Sequence, residues 1–118
     1  MSRTERRIIR HNRIRKRVFG KQDCPRLSVY KSLNYIYAQI IDDEKGITLV
    51  SASTNEPSLR GDKKSLKNKN AAKLLGGVLA ERAKEKGIKK VVFDRGGFKY
   101  HGVIKEFAEI VRNGGLEF

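Results

Sequence analysis

The chain has 118 residues, with 27 Lys and Arg against 13 Asp and Glu, a formal charge of +14. That length fits one domain, and the charge calls for a polyanionic partner, of which nucleic acid is the commonest. A single cysteine, Cys24, excludes an internal disulfide and fits a reducing cytosol. With no 18-residue apolar run and no apolar stretch behind the basic start, neither a membrane span nor a signal peptide is expected.

Residues 1–24 read as a flexible basic arm, closed by the extended Cys24–Pro25 step. Its first 21 residues carry Arg3, Arg6, Arg7, Arg10, Arg13, Arg15, Lys16, Arg17 and Lys21 against one acid, Glu5. Arginine dominates, and guanidinium groups grip phosphate bidentately and stack on unpaired bases. Ile8, Ile9, Ile14, Val18 and Phe19 are scattered among these charges. They offer at most a narrow apolar face for a helix from Ile8 to Phe19, too thin for a membrane surface.

The body is expected over 25–118. From Arg26 to Lys31 the hydrophobic period is two: Leu27 and Val29 face one way, Arg26, Ser28 and Tyr30 the other. A turn at 32–34 leads to a strand from Tyr35 to Asp42 with Ile36, Ala38 and Ile40 inward. The acidic run Asp42, Asp43, Glu44 reads as a solvated hairpin tip, and Ile47 to Thr54 returns as the third strand of a meander. The polar stretch 56–70 begins as loop and runs into a helix, with Ser65 as N-cap and Lys63, Lys64, Lys67 and Lys69 as secondary phosphate contacts. Apolar residues from Ala71 to Ala83 follow a helical rhythm that Gly87 ends. Gly76 and Gly77 suggest close packing of that helix on a sheet. Lys90 to Asp94 is a short buried strand, and Val103 to Val111 a second amphipathic helix stopped by Gly114 and Gly115. The fold class is therefore α/β, a mixed sheet of about four strands. The crossover through a helix implies a parallel pairing.

Two surfaces have chemistry to offer. The outward strand residues Arg26, Ser28, Tyr30, Tyr35, Tyr37 and Gln39 either stack on bases and bond riboses or simply cover the sheet. The loop Arg95, Gly96, Gly97, Phe98, Lys99, Tyr100, His101, Gly102 follows a strand and opens a helix, where backbone amides collect phosphate. It lacks the Walker spacing and the dinucleotide fingerprint, so no nucleotide cofactor is expected. His11 and His101 belong to no shared ligand pattern, so neither catalysis nor a metal site is expected.

Five segments in order carry a resemblance: Pro25–Ser32 (PRLSVYKS), Asn34–Asp42 (NYIYAQIID), Ser51–Thr54 (SAST), Phe93–Gly102 (FDRGGFKYHG) and Gly115–Phe118 (GLEF). The chain resembles the bacterial large-subunit ribosomal protein L-eighteen family, with Phe98 in place of a frequent Tyr. The resemblance implies a non-catalytic constituent of the cytoplasmic ribosome that binds 5S rRNA and helps attach it to 23S rRNA in the central protuberance. It also implies large-subunit ribosomal protein five as a neighbour. The RNA-binding set expected on these grounds is the arm's Arg3, Arg6, Arg7, Arg10, Arg13, Arg15, Lys16 and Arg17, then Arg26, Ser28, Tyr30, Lys31, Asn34, Tyr35, Tyr37 and Gln39, and the loop from Arg95 to His101. The alternative is a general, nucleoid-type nucleic-acid binder, which shares the basic arm but has no preference for 5S RNA.

Overall fold

The computed structural model describes residues 2–60 and 68–118, so Ser65, Lys63, Lys64 and Lys67 lie outside the described residues. The elements are α1 (Arg3–Arg15), β1 (Arg26–Lys31), β2 (Ile36–Asp42), β3 (Ile47–Ser53), α2 (Pro57–Arg60), α3 (Lys69–Glu85), β4 (Val92–Asp94) and α4 (Val103–Asn113). The strands form one sheet in the order β3-β2-β1-β4. The meander pairs antiparallel, with Val29 opposite Ala38 and Ala38 opposite Ala52, while β4 joins β1 in parallel, Leu27 beside Phe93. The parallel pairing expected from the crossover is therefore made with β1, at the centre of the sheet.

Period-two alternation sorts the strand residues onto two faces. Leu27, Val29, Ile36, Ala38, Ile40, Val50 and Ala52 are buried on the inner face, beneath Ala72, Leu75, Leu79 and Ala83 of α3 and Ile104, Phe107 and Val111 of α4. Thr54 closes the third strand from inside: its hydroxyl accepts from the Ile36 amide at 2.9 Å, and its own amide donates to the Ile36 carbonyl at 3.0 Å.

The helix boundaries differ from the sequence expectation in instructive ways. Asn68, not Ser65, caps α3, its side-chain oxygen accepting from the Ala71 amide at 2.8 Å. The start of the 56–70 stretch is the short helix α2 rather than loop. At the other end Gly87 (φ +74°) lets the Ile88 amide reach back to the Ala83 carbonyl and its own amide to Lys84, which satisfies two orphan carbonyls. Gly76 packs not on the sheet but on α4: a β-carbon there would lie 2.9 Å from Ile110 Cγ2 and 3.1 Å from the Phe107 carbonyl. Gly77 faces open space.

These two adjacent glycines are therefore expected to respond in opposite directions. Gly77→Ala, which meets nothing, should raise stability by about 0.5–1 kcal/mol through helix propensity. Gly76→Val, which must push α4 away, should lower it by roughly 1–3 kcal/mol. Urea melts of the two variants check this; equal shifts would mean that α3 and α4 do not meet at Gly76.

Candidate nucleic-acid interface

The outer face of the sheet is organised by charge. Asp94, with 0% of its surface exposed, is an acid whose lost hydration has to be replaced by bonded partners. Its Oδ2 accepts from Arg26 Nη1 at 2.7 Å and meets His11 Nε2 at 3.0 Å, and its Oδ1 accepts from the Gly96 amide at 2.9 Å. Arg26 turns the rest of its guanidinium on Asp43, Nε to Oδ2 at 3.0 Å and Nη2 to Oδ1 at 3.1 Å. Asp43 also accepts from the Gly20 amide at 2.7 Å and lies 3.5 Å from Arg15 Nη1. Burial pulls the Arg26 pKa down, but the bonds to Asp43 and Asp94 outweigh it and hold it above its ordinary value. The Arg26 bond holds the Asp43 carboxyl below its ordinary 3.8, against its partial burial. Far from being a solvated tip, the acidic run is structural: buried Asp42 accepts from the Glu44 and Lys45 amides, and only Glu44 is fully exposed.

The segment expected as a flexible arm is a helix lying on this network. Ser2 caps α1, accepting from the Glu5 amide at 3.1 Å. Arg7, His11 and Arg15 recur every four residues and so share one face. Arg7 donates to the Gly96 carbonyl at 2.8 Å and lies over the rings of Tyr30 and Phe98, 5.4 and 5.0 Å from their centroids. Arg10 Nε donates to the Gly97 carbonyl at 2.8 Å. Arg7 thus sits at the end of β1, His11 at its middle and Arg15 at its start, so α1 crosses the outer face antiparallel to β1. Arg6 and Arg13 are exposed on its free side, Arg3 is exposed at its N-terminal end, and exposed Lys16 and Arg17 follow the helix. None of these five makes an ion pair among the described residues.

Other expected residues divide between this surface and elsewhere. Ser28 pairs with Gln39, and Tyr30 with Tyr37 at a ring separation of 6.3 Å, on the face that α1 crosses. Lys31 at the strand end lies 6.0 Å from the Phe98 ring, and Asn34 is exposed in the following turn. Tyr35 sits apart, half-buried against the core. In the loop, Lys99, Tyr100 and His101 are exposed. The Gly96, Phe98 and His101 amides are bonded within the loop, to Asp94, Arg95 and Lys99. The loop's backbone is therefore turned toward α1 rather than arranged as an open phosphate cradle.

Sequence reasoning missed Arg112 of α4. It donates to the Tyr100 hydroxyl at 3.1 Å and lies 4.4 Å over the Phe118 ring, on the wall of an open groove of about 380 Å³ shared with Ile14, Phe93, Arg95 and Tyr100. Its position in the last turn of α4 suits the helix dipole and carries no local mark of a binding residue. It missed Asp43 and Asp94 too, since nothing local marks an acid whose partners lie up to 83 residues away. A larger concavity of about 680 Å³ lies between the start of β3 and the connection from α3 to β4, and contains none of the expected site residues. Among the described residues no cluster of three or more His, Cys, Asp and Glu could hold a metal, and no helix is long and apolar enough to cross a membrane.

A mixed sheet with two helices on one face and an arginine-bearing helix on the other defines a small basic α/β binding protein. The family model described as "Ribosomal L18 of archaea, bacteria, mitoch. and chloroplast" matches residues 1–118. The "Large ribosomal subunit protein uL18" of Caldicellulosiruptor saccharolyticus is 62% identical over 118 residues, covering 100% of this chain and 95% of its own length. That of Dictyoglomus thermophilum is 65% identical over 117 residues (99% and 96%), and that of Thermotoga neapolitana 59% over 117 (99% and 96%). The chain belongs to the L-eighteen family of ribosomal proteins, non-catalytic structural constituents of the large subunit.

The outer-face network carries a pH dependence with a definite sign. Because the Asp43 pKa is lowered on folding, its contribution to stability is present above 3.8 and is lost as pH falls through the lower folded value. Glu56, lowered by the bond from Arg82, behaves alike below 4.5. The stability gap between the parent and Asp43→Asn should be constant above about pH 5 and shrink below about pH 4. Thermal melts across that range check it, and a gap independent of pH would mean that the carboxylate charge contributes nothing.

Proposed function

We propose that the chain binds 5S rRNA in the cytoplasmic ribosome and helps fasten it to 23S rRNA, with large-subunit ribosomal protein five as a neighbour. The observation that carries this reading is the free side of α1. Arg6 and Arg13 there, with Arg3 before them and Lys16 and Arg17 after, form an exposed cationic flank that makes no ion pair among the described residues, on a helix whose other side is anchored to the body. Such a flank suits the phosphates of a folded RNA. Lys31, Asn34, Tyr37, Gln39, Lys99, Tyr100 and His101 extend the contact surface, with exposed Tyr30 and Tyr100 as stacking platforms for unpaired bases. Arg7, Arg10, Arg15 and Arg26, together with Gly96 and Gly97, act mainly by holding the flank in place. Ser28, Phe98 and Arg95 line the surface beneath it, and half-buried Tyr35 contributes at its margin. The division into an RNA-binding arm over 1–24 and a 5S-binding body over 25–118 follows from this, the arm supplying charge and the body the platform. Recognition is then of RNA shape rather than of a short sequence.

Competition of labelled 5S rRNA against excess transfer RNA and duplex DNA at about 150 mM salt tests the reading. Retention of 5S rRNA is expected; equal displacement by all three would favour a general nucleic-acid binder. Deletion of residues 1–21 should lower the slope of log affinity against log salt by roughly four, as five free cations at 0.7–0.9 each require. An unchanged slope would remove α1 from the interface.

A further inference from the structure

We infer that Gly97 and Asp94 form a seat that fixes the direction of α1, making them positioning residues for RNA binding; this rests on the function proposed above. The loop backbone touches the helix backbone at Gly97. A β-carbon there would fall on the Arg7 carbonyl oxygen and within 2.9 Å of the His11 amide nitrogen and 3.0 Å of its Cβ. Gly97 also has φ +80°, so glycine satisfies both the backbone shape and the close approach. One turn along, His11 meets the buried Asp94 carboxylate at 3.0 Å. Arg7 and Arg10 close the contact on the carbonyls of Gly96 and Gly97. The helix is thus held at four successive points, which leaves its other flank a fixed orientation relative to Tyr37, Gln39 and Tyr100. A seated cation array needs less ordering on binding than a tethered polycation of equal charge.

Gly97 has no side chain and Asp94 is an acid, so neither offers a cation to phosphate and the seat separates from simple charge attraction. In the full-length chain, Gly97→Asn keeps every cation and tolerates the left-handed backbone better than other side chains do, yet its Cβ meets the helix. Its 5S affinity should fall about tenfold or more, and its salt slope should move toward that of the 1–21 deletion. His11→Ala leaves the loop's glycines and all arginines intact and should weaken binding about three- to tenfold, as loss of a bond to a carboxylate implies. A melt of His11→Ala that stays cooperative shows that the body is folded. If both variants bind 5S rRNA with the parent's affinity and salt slope, the seat is overturned. If the parent itself shows no preference for 5S rRNA, the proposed function fails instead.

Discussion

The Asp94 carboxylate is where three otherwise separate parts of the chain meet. A fully buried acid is tolerable only when charged partners and amide donors replace its lost hydration. Here the replacements come from the sheet through Arg26, from the loop through the Gly96 amide and from the N-terminal helix through His11. Removing any one would leave the others facing an under-bonded buried charge. The arrangement therefore couples the position of α1 to the register of β4 on β1 and to the fold of the loop. Asp43 repeats the device at the start of β1, gathering Arg26, Arg15 and the Gly20 amide.

The two faces of the sheet consequently follow different physics. The inner face is packed with aliphatic side chains under α3 and α4, close enough at Gly76 that a methyl group has no room. Its strength comes from apolar burial, which salt does not screen. The outer face joins α1 through guanidinium bonds, one His–Asp contact and the rings of Tyr30 and Phe98. Contacts of that kind weaken as salt screens them. A body that folds by burial can thus carry a helix whose attachment responds to its ionic surroundings.

This contrast also governs what could be read in the sequence. The strands were legible because Leu27, Val29, Ile36, Ala38 and Ile40 alternate cleanly, and α4 because Ile104, Phe107 and Val111 keep the helical period. The helix α1 was not, because it inverts the pattern that period analysis seeks: it turns Arg7, His11 and Arg15 toward the body and leaves Ile8 and Ile9 exposed at 45% and 38%. Local signals were present all the same. Ser2 followed three residues later by Glu5 is a capping-box pair, and Arg3, Arg6, Arg10 and Arg13 alternate by three and four. What no local pattern encodes is pairing at long range. Asp43 looked like part of an acidic turn until the sheet brought Arg26 beside it. Gly96 and Gly97 looked like a phosphate loop until α1 occupied their carbonyls.

The predominance of arginine over lysine in α1 follows from the work each side requires. Inward, Arg7 donates to a carbonyl while its planar cation rests on two aromatic rings, and Arg10 makes a directed bond from Nε. A lysine ammonium, compact and strongly hydrated, cannot do both at once. Outward, the same group is suited to bonding phosphate through paired donors. Glu5 in the first turn and Arg13 and Arg15 in the last suit the helix dipole, but they do not balance the helix's charge. Asp43, Asp94 and the two glycine carbonyls absorb the inward cations, and among the described residues no acid pairs with Arg3, Arg6 or Arg13. Their mutual repulsion disfavours the helix in isolation and is relieved when an anionic surface lies against it, so under the proposed function the charges offered to RNA would also make α1 most stable in the bound state.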